Sequence, residues 1–101
     1  NMGKTMNQIY LDYQAMEQKA TRLEELAKEI RNVADNQIAE CMNTKGIWEG
    51  DSGDAFRQKV TRLNYKITKR AEELEKTASA IRAAAQRQYR LEKQLIQIVS
   101  H

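Results

Sequence analysis

The residues that could do chemistry are few and scattered. The only histidine, His101, is the last residue of the sequence, and the only cysteine, Cys41, falls on an apolar helical seam with no histidine near it. A thiol in that setting reads as a small packed side chain rather than an activated nucleophile. One cysteine also allows no intrachain disulfide. Three of the four glycines, Gly46, Gly50 and Gly53, sit close together, but no strand precedes them, and Asp51 and Asp54 beside them would repel a phosphate. Neither paired carboxylates in a cleft nor His, Cys, Asp and Glu at metal-ligand spacing can be picked out. The sequence therefore gives no catalytic residue, no cofactor-binding residue and no metal ligand. It points to a protein that binds other proteins, not to an enzyme.

That glycine cluster instead organises the fold. Residues 45–51 read as a single turn, with roughly forty residues free of proline and almost free of glycine on each side. Gly46 can take the left-handed conformation that ends a helix. Asp51, Ser52 and Asp54 can cap the first amides of the next one. Helix 1 is expected over about 6–44, opened by a capping box, Thr5-x-x-Gln8. Its apolar residues alternate steps of three and four from Met6 and Ile9 through Ala20, Leu23, Ala27 and Ile30 to Cys41. Helix 2 is expected over about 52–99, with Phe56, Val60, Leu63, Ile67, Ala71, Leu74, Ala78, Ile81 and Ala85 on one stripe. The sequence thus predicts one all-α domain over 1–101, an antiparallel helix-turn-helix hairpin. Facing residues should have numbers summing to about 97, which sets Ala84 and Ala85 against Tyr13 and Met16, and brings Arg57, Arg62 and Lys69 near Glu40, Asp35 and Glu29. Both stripes are too broad for two helices to cover, so two copies forming a four-helix bundle dimer are expected.

Trp48-x-Gly50 inside this turn, followed by Ala55-Phe56 in a chain of 101 residues, resembles the WXG hundred-residue family of ESAT-like small proteins exported by type VII (Esx) secretion systems. The resemblance covers the whole chain. It implies a helical hairpin that dimerises, with itself or with a related hairpin, and works as a secretion substrate or as a carrier for one. A secretion ATPase or a larger secreted effector would be the further partner. Trp48 and Gly50 are then the turn motif. The family's tail signal, a tyrosine followed four residues later by an acid, is altered here: Tyr89 is followed at that place by Lys93, and the nearest acid is Glu92. Tyr89 and Glu92 are the candidate signal.

Charge and hydropathy agree with this. The net charge is +3, yet the first fifty residues carry 6 basic and 8 acidic groups and the rest 11 and 6, so the two arms complement each other. The basic run Arg57, Lys59, Arg62, Lys66, Lys69 and Arg70 reads as a solvated face with no aromatic residue placed to stack bases, so no nucleic acid is expected as a partner. No apolar stretch is long enough for stable membrane insertion, and the first residues lack a signal-peptide core. Export would then proceed from the cytoplasm without a cleaved signal peptide. Leu95, Ile96, Ile98 and Val99 run past the start of helix 1 and form a candidate partner-binding tail. A different class of reading is an intracellular structural adaptor that dimerises through the same stripes.

Overall fold

A computed structural model describes residues 3–43 and 51–100. The fold is all-α, a helical hairpin built from α1 (Met6–Asn43) and α2 (Asp51–Ser100), with no strand among the described residues. Of the expected turn, 45–51, residues 45–50 lie outside the described residues, Trp48 and Gly50 among them, and Asp51 is the first residue of α2.

The start of α1 follows directly from its sequence. Thr5 N–H donates to Gln8 Oε1 at 2.9 Å, Gln8 N–H donates to Thr5 Oγ1 at 3.1 Å, and Ile9 N–H closes the first turn on the Thr5 carbonyl at 3.0 Å. Two amides that the helix leaves without partners are satisfied reciprocally, an arrangement in which the hydroxyl alone is worth about 1 kcal/mol. Just ahead, Gly3 has φ of +115°, where an L side chain would be strained.

The helical pair divides into two compact units, Asn1–Glu24 with Glu75–His101, and Glu25–Leu74. In the first, Ile9, Ala20, Ala78 and Ala85 are buried, flanked by half-buried Met16, Leu23 and Ile81. In the second, Ala27, Ala34 and Ala71 are buried, flanked by half-buried Ile30, Val60, Ile67 and Leu74. The core is thus alanine at every seventh position, 20, 27 and 34 on α1 and 71, 78 and 85 on α2. A seven-residue spacing drifts only about 20° around the helix, so these methyls form one seam on which a neighbouring backbone can come close. Each buried methyl contributes on the order of 0.8 kcal/mol, whereas full burial of a leucine or isoleucine contributes about 1.5–3 kcal/mol. Much of the larger gain stays unrealised, because the branched side chains flank the seam and keep part of their surface in water.

Register is close to that expected. Lys4 with Glu92, Tyr10 with Tyr89, and Glu17 with Arg82 pair positions whose numbers sum to 96, 99 and 99. The ring of Tyr13, however, lies on Tyr89, four residues beyond Ala85. Side chains on a helix lean toward its N-terminus, which in α1 carries the Tyr13 ring toward the later residues of antiparallel α2. Ala85 is buried as expected, while Ala84 is only half-buried. Among the charged residues, Arg57 pairs with Asp54 and Lys69 with Glu72 at 4.0 Å, both within α2 rather than across the hairpin. A partner one turn away along the same helix is reached with less side-chain ordering than one on another helix.

Candidate functional site

The first unit gathers the tail residues around the start of α1. Lys4, ahead of the helix, sends its ammonium to Asp12 at 2.7 Å and to Glu92 at 3.0 Å. The lysine pKa is raised, first by its hydrogen bond to Asp12 and then by the one to Glu92. Tyr89, three residues before Glu92, is held on the same side: its ring stacks on Tyr13 at 4.9 Å between centroids and tilts against Tyr10 at 6.5 Å. The Lys93 ammonium sits 5.2 Å from the Tyr89 ring centroid. Tyr89 and Glu92 are therefore brought together, and both are engaged by the N-terminal segment of the chain.

Beyond them, Gly3, Lys4, Ile9, Glu92, Leu95, Ile96 and Val99 line a groove of about 550 Å³. Ile96 is half-buried, whereas Leu95, Ile98 and Val99 are 61%, 71% and 81% exposed. Three of the four tail residues of the sequence reading, Leu95, Ile96 and Val99, thus line the groove, and of these only Ile96 is half-buried.

Sequence reasoning missed Arg82. Its guanidinium donates to Glu17 Oε1, to Thr21 Oγ1 at 2.9 Å, and to Glu24 through Oε1 at 2.5 Å and Oε2 at 3.4 Å. The planar fork of arginine suits such a many-armed grip, which the single ammonium of lysine could not reproduce. The hydrogen bond to Arg82 lowers the Glu24 pKa, and the one to Glu24 leads the causes that raise the arginine's. One signal was available: Glu17 and Glu24 lie seven apart, hence on one face of α1, and Arg82 falls opposite them in an antiparallel hairpin. The other Glu17 oxygen, Oε2, is buried without a partner.

Helical geometry separates two flanks on either side of the alanine seam. In the first unit, one flank carries Glu17, Glu24, Arg82 and Tyr89, and the other Met16, Leu23, Ile81 and the exposed Leu91 and Leu95. In the second, the apolar flank holds Ile30, Val60 and Ile67 with the exposed Leu26, Val33 and Leu63. This second unit also encloses a small cavity of about 60 Å³ among Ala34, Gln37, Cys41, Val60 and Asn64, where Asn64 Oδ1 is buried without a partner. Cys41 is half-buried there. Among the described residues, no group of His, Cys, Asp and Glu could hold a metal ion, and no helix is long and apolar enough to cross a membrane.

Comparison with curated proteins and with solved structures gives no match. A family model does match: that of the WXG100 family, proteins of 100 residues with WXG, aligns with residues 8–92. This span takes in both helices for most of their length and the Trp48-x-Gly50 tripeptide between them. The match covers well over half of the chain, and the chain, a helical hairpin with Trp48-x-Gly50 in the segment between its helices, belongs to the WXG100 family.

Proposed function

We propose that the chain is a small non-enzymatic protein exported by a type VII (Esx-like) secretion system, or a carrier that brings a partner to one. The observation that carries this is the family match across residues 8–92, with Trp48-x-Gly50 inside it. One hairpin domain over 1–101 pairs through its apolar flank with a second copy or a related hairpin, giving a four-helix bundle. The exposed Leu26, Val33, Leu63 and Leu91 support that reading, because a soluble hairpin gains by covering them.

Within this reading Trp48 and Gly50 form the turn motif that a secretion ATPase or an effector recognises, next to the tail of the paired chain. Tyr89 supports a carrier role more than a cargo role. Its ring is taken up by Tyr13 on one side and approached by Lys93, which stands where the family's tail acid belongs. The hetero-partner then supplies the tail acid, and Leu95, Ile96, Ile98 and Val99 bind that partner.

A secretion assay in the native host tests this directly. Export of the wild type should stop in a strain lacking the secretion ATPase, and Trp48→Ala should lower export while circular dichroism stays unchanged. Export that persists without the ATPase, or a protein that never leaves the cell, would instead favour the intracellular adaptor.

A further inference from the structure

The second unit carries a charged face that neither the seam nor the apolar flank uses. On α2, Lys59, Arg62 and Lys66 follow one another at steps of three and four, on the side of the helix turned away from Asn64 and Ala71. All three are exposed, and none pairs with a carboxylate among the described residues. Their neighbours on α2 are different. Arg57 lies on the line of Asn64 and Ala71, away from this row, and is taken up by Asp54, while Lys69 and Arg70, next beyond Lys66, are taken up by Glu72 and Glu73, the last pair at 3.3 Å. The free cations thus span about 10 Å at 1.5 Å per residue, with one end already neutralised.

An aromatic residue lies within this run. Tyr65 is 62% exposed, beside Arg62 and Lys66 in sequence and with the Lys69 ammonium 6.0 Å from its ring centroid. The sequence reading found no aromatic residue on this face placed to stack bases, and did not single out Tyr65, which stands exposed at its edge. An exposed tyrosine one turn from an arginine suits an anchor in a protein interface, since the ring offers apolar area at little entropic cost and a hydroxyl at its tip.

We propose that Lys59, Arg62, Tyr65 and Lys66 form a docking face for a short acidic helix of another protein, one with two or three carboxylates at i, i+3 or i+4 spacing and no further acids beyond them. Both the spacing and the neutralised end argue for this partner. Successive cations stand about 4.5 and 6 Å apart along the axis, the rise over the three- and four-residue steps at which carboxylates repeat on one face of a helix. A long polyanion is disfavoured. A duplex held through its backbone by about 6–10 phosphate contacts needs more than the three cations free here, and a strand continuing past Lys66 would run over the carboxylates of Glu72 and Glu73. The inference rests on the second unit alone and is independent of the secretion reading.

The test uses the full-length chain and a blocked alanine-based helical peptide of about eighteen residues, long enough to hold its helix. The peptide carries three glutamates at i, i+4 and i+7, with a lysine near each end. Titration followed by NMR should move the amides of residues 58–69, and the glutamine version of the peptide should bind at least about tenfold more weakly. K59E/R62E/K66E should abolish binding with the helical spectrum intact, and Tyr65→Ala should weaken it several-fold. The proposal is overturned if the glutamate and glutamine peptides bind alike or not at all, or if the shifts map to the apolar flank. It is equally overturned if a twenty-base-pair duplex binds more tightly than the peptide at 0.15 M salt, or if the triple variant changes the oligomeric state, which would make the occupant a nucleic acid or a second copy.

Discussion

Arg82 grips Glu24 through two nitrogens, and the same guanidinium reaches Glu17 and Thr21, so one side chain of α2 holds two successive turns of α1. Ion pairs at a surface are usually worth little, because two long side chains must be ordered for a screened attraction. Here a single ordered arginine serves several acceptors. Replacing it should therefore cost more than replacing Arg70, whose pair with Glu73 is exposed and local. We expect Arg82→Ala to lower the Tm by several degrees, Arg82→Lys to recover only part of the loss because the fork is gone, and Arg70→Ala to leave the melt almost unchanged.

The same grip depends on pH, with a definite sign. The folded-state pKa of Glu24 lies below its ordinary value of 4.5, so the stability it contributes is fully present above that value and is lost as pH falls through the lowered one. Thermal melts of the wild type and Glu24→Gln should thus differ at pH 7 and converge as the pH is brought below about 4.

Volume along the seam is the next expectation. Ala78 is fully buried, so Ala78→Leu has nowhere to place three extra carbons and should cost about 1–3 kcal/mol or more. Ala85→Leu should behave similarly. Ala84 is only half-buried, and Ala84→Leu should stay within about 1 kcal/mol of the wild type in urea titrations.

At the start of α1, Tyr89→Ala removes a ring stacked on Tyr13 and should cost about 1–3 kcal/mol, while Tyr89→Phe keeps the stack and should cost little. Lys4→Ala should loosen residues 3–5 and 92–96 without unfolding the chain, which amide exchange would read out as lost protection confined to that region.

Association through the apolar flank can be separated from folding. Val33→Glu and Leu63→Glu change side chains already more than half exposed, so each should leave the helical spectrum intact. If the flank mediates pairing, sedimentation should show the wild type as a dimer at tens of micromolar, the order of magnitude for ordinary dimers, and both variants as monomers.

Much of this was legible in the sequence because it depends on period alone. The capping box at Thr5 and Gln8 and the two long helices need only local pattern, whereas the burial of the alanines at every seventh place, with the larger residues of the same stripes flanking them, did not come through. Register came within two positions for Lys4–Glu92, Tyr10–Tyr89 and Glu17–Arg82, and was off by five or more for Tyr13–Tyr89 and for Arg82 with Thr21 and Glu24, where long side chains reach along the hairpin. Nor did the choice among charged partners come through. Arg57 and Lys69 each have several carboxylates within reach, and the nearest turn of their own helix wins over the opposite helix. Arg82 went unnoticed for the converse reason: its partners are spread over two turns of another helix and share no short motif. Tyr65 was not singled out because it lies outside the apolar stripe of Phe56, Val60, Leu63 and Ile67. The roles of Trp48 and Gly50 rest on sequence and family alone, since both lie outside the described residues.

The alanine seam also decides which substitutions the chain can accumulate. A core of leucines can drift by losing a methylene here and gaining one there. At Ala20, Ala27, Ala71 and Ala78 no such exchange exists, because every replacement except glycine adds volume and glycine loosens the helix. Neutral change is confined to the half-exposed flanks, where added or lost volume meets solvent. Two such chains can thus diverge along their flanks while each keeps its alanine seam.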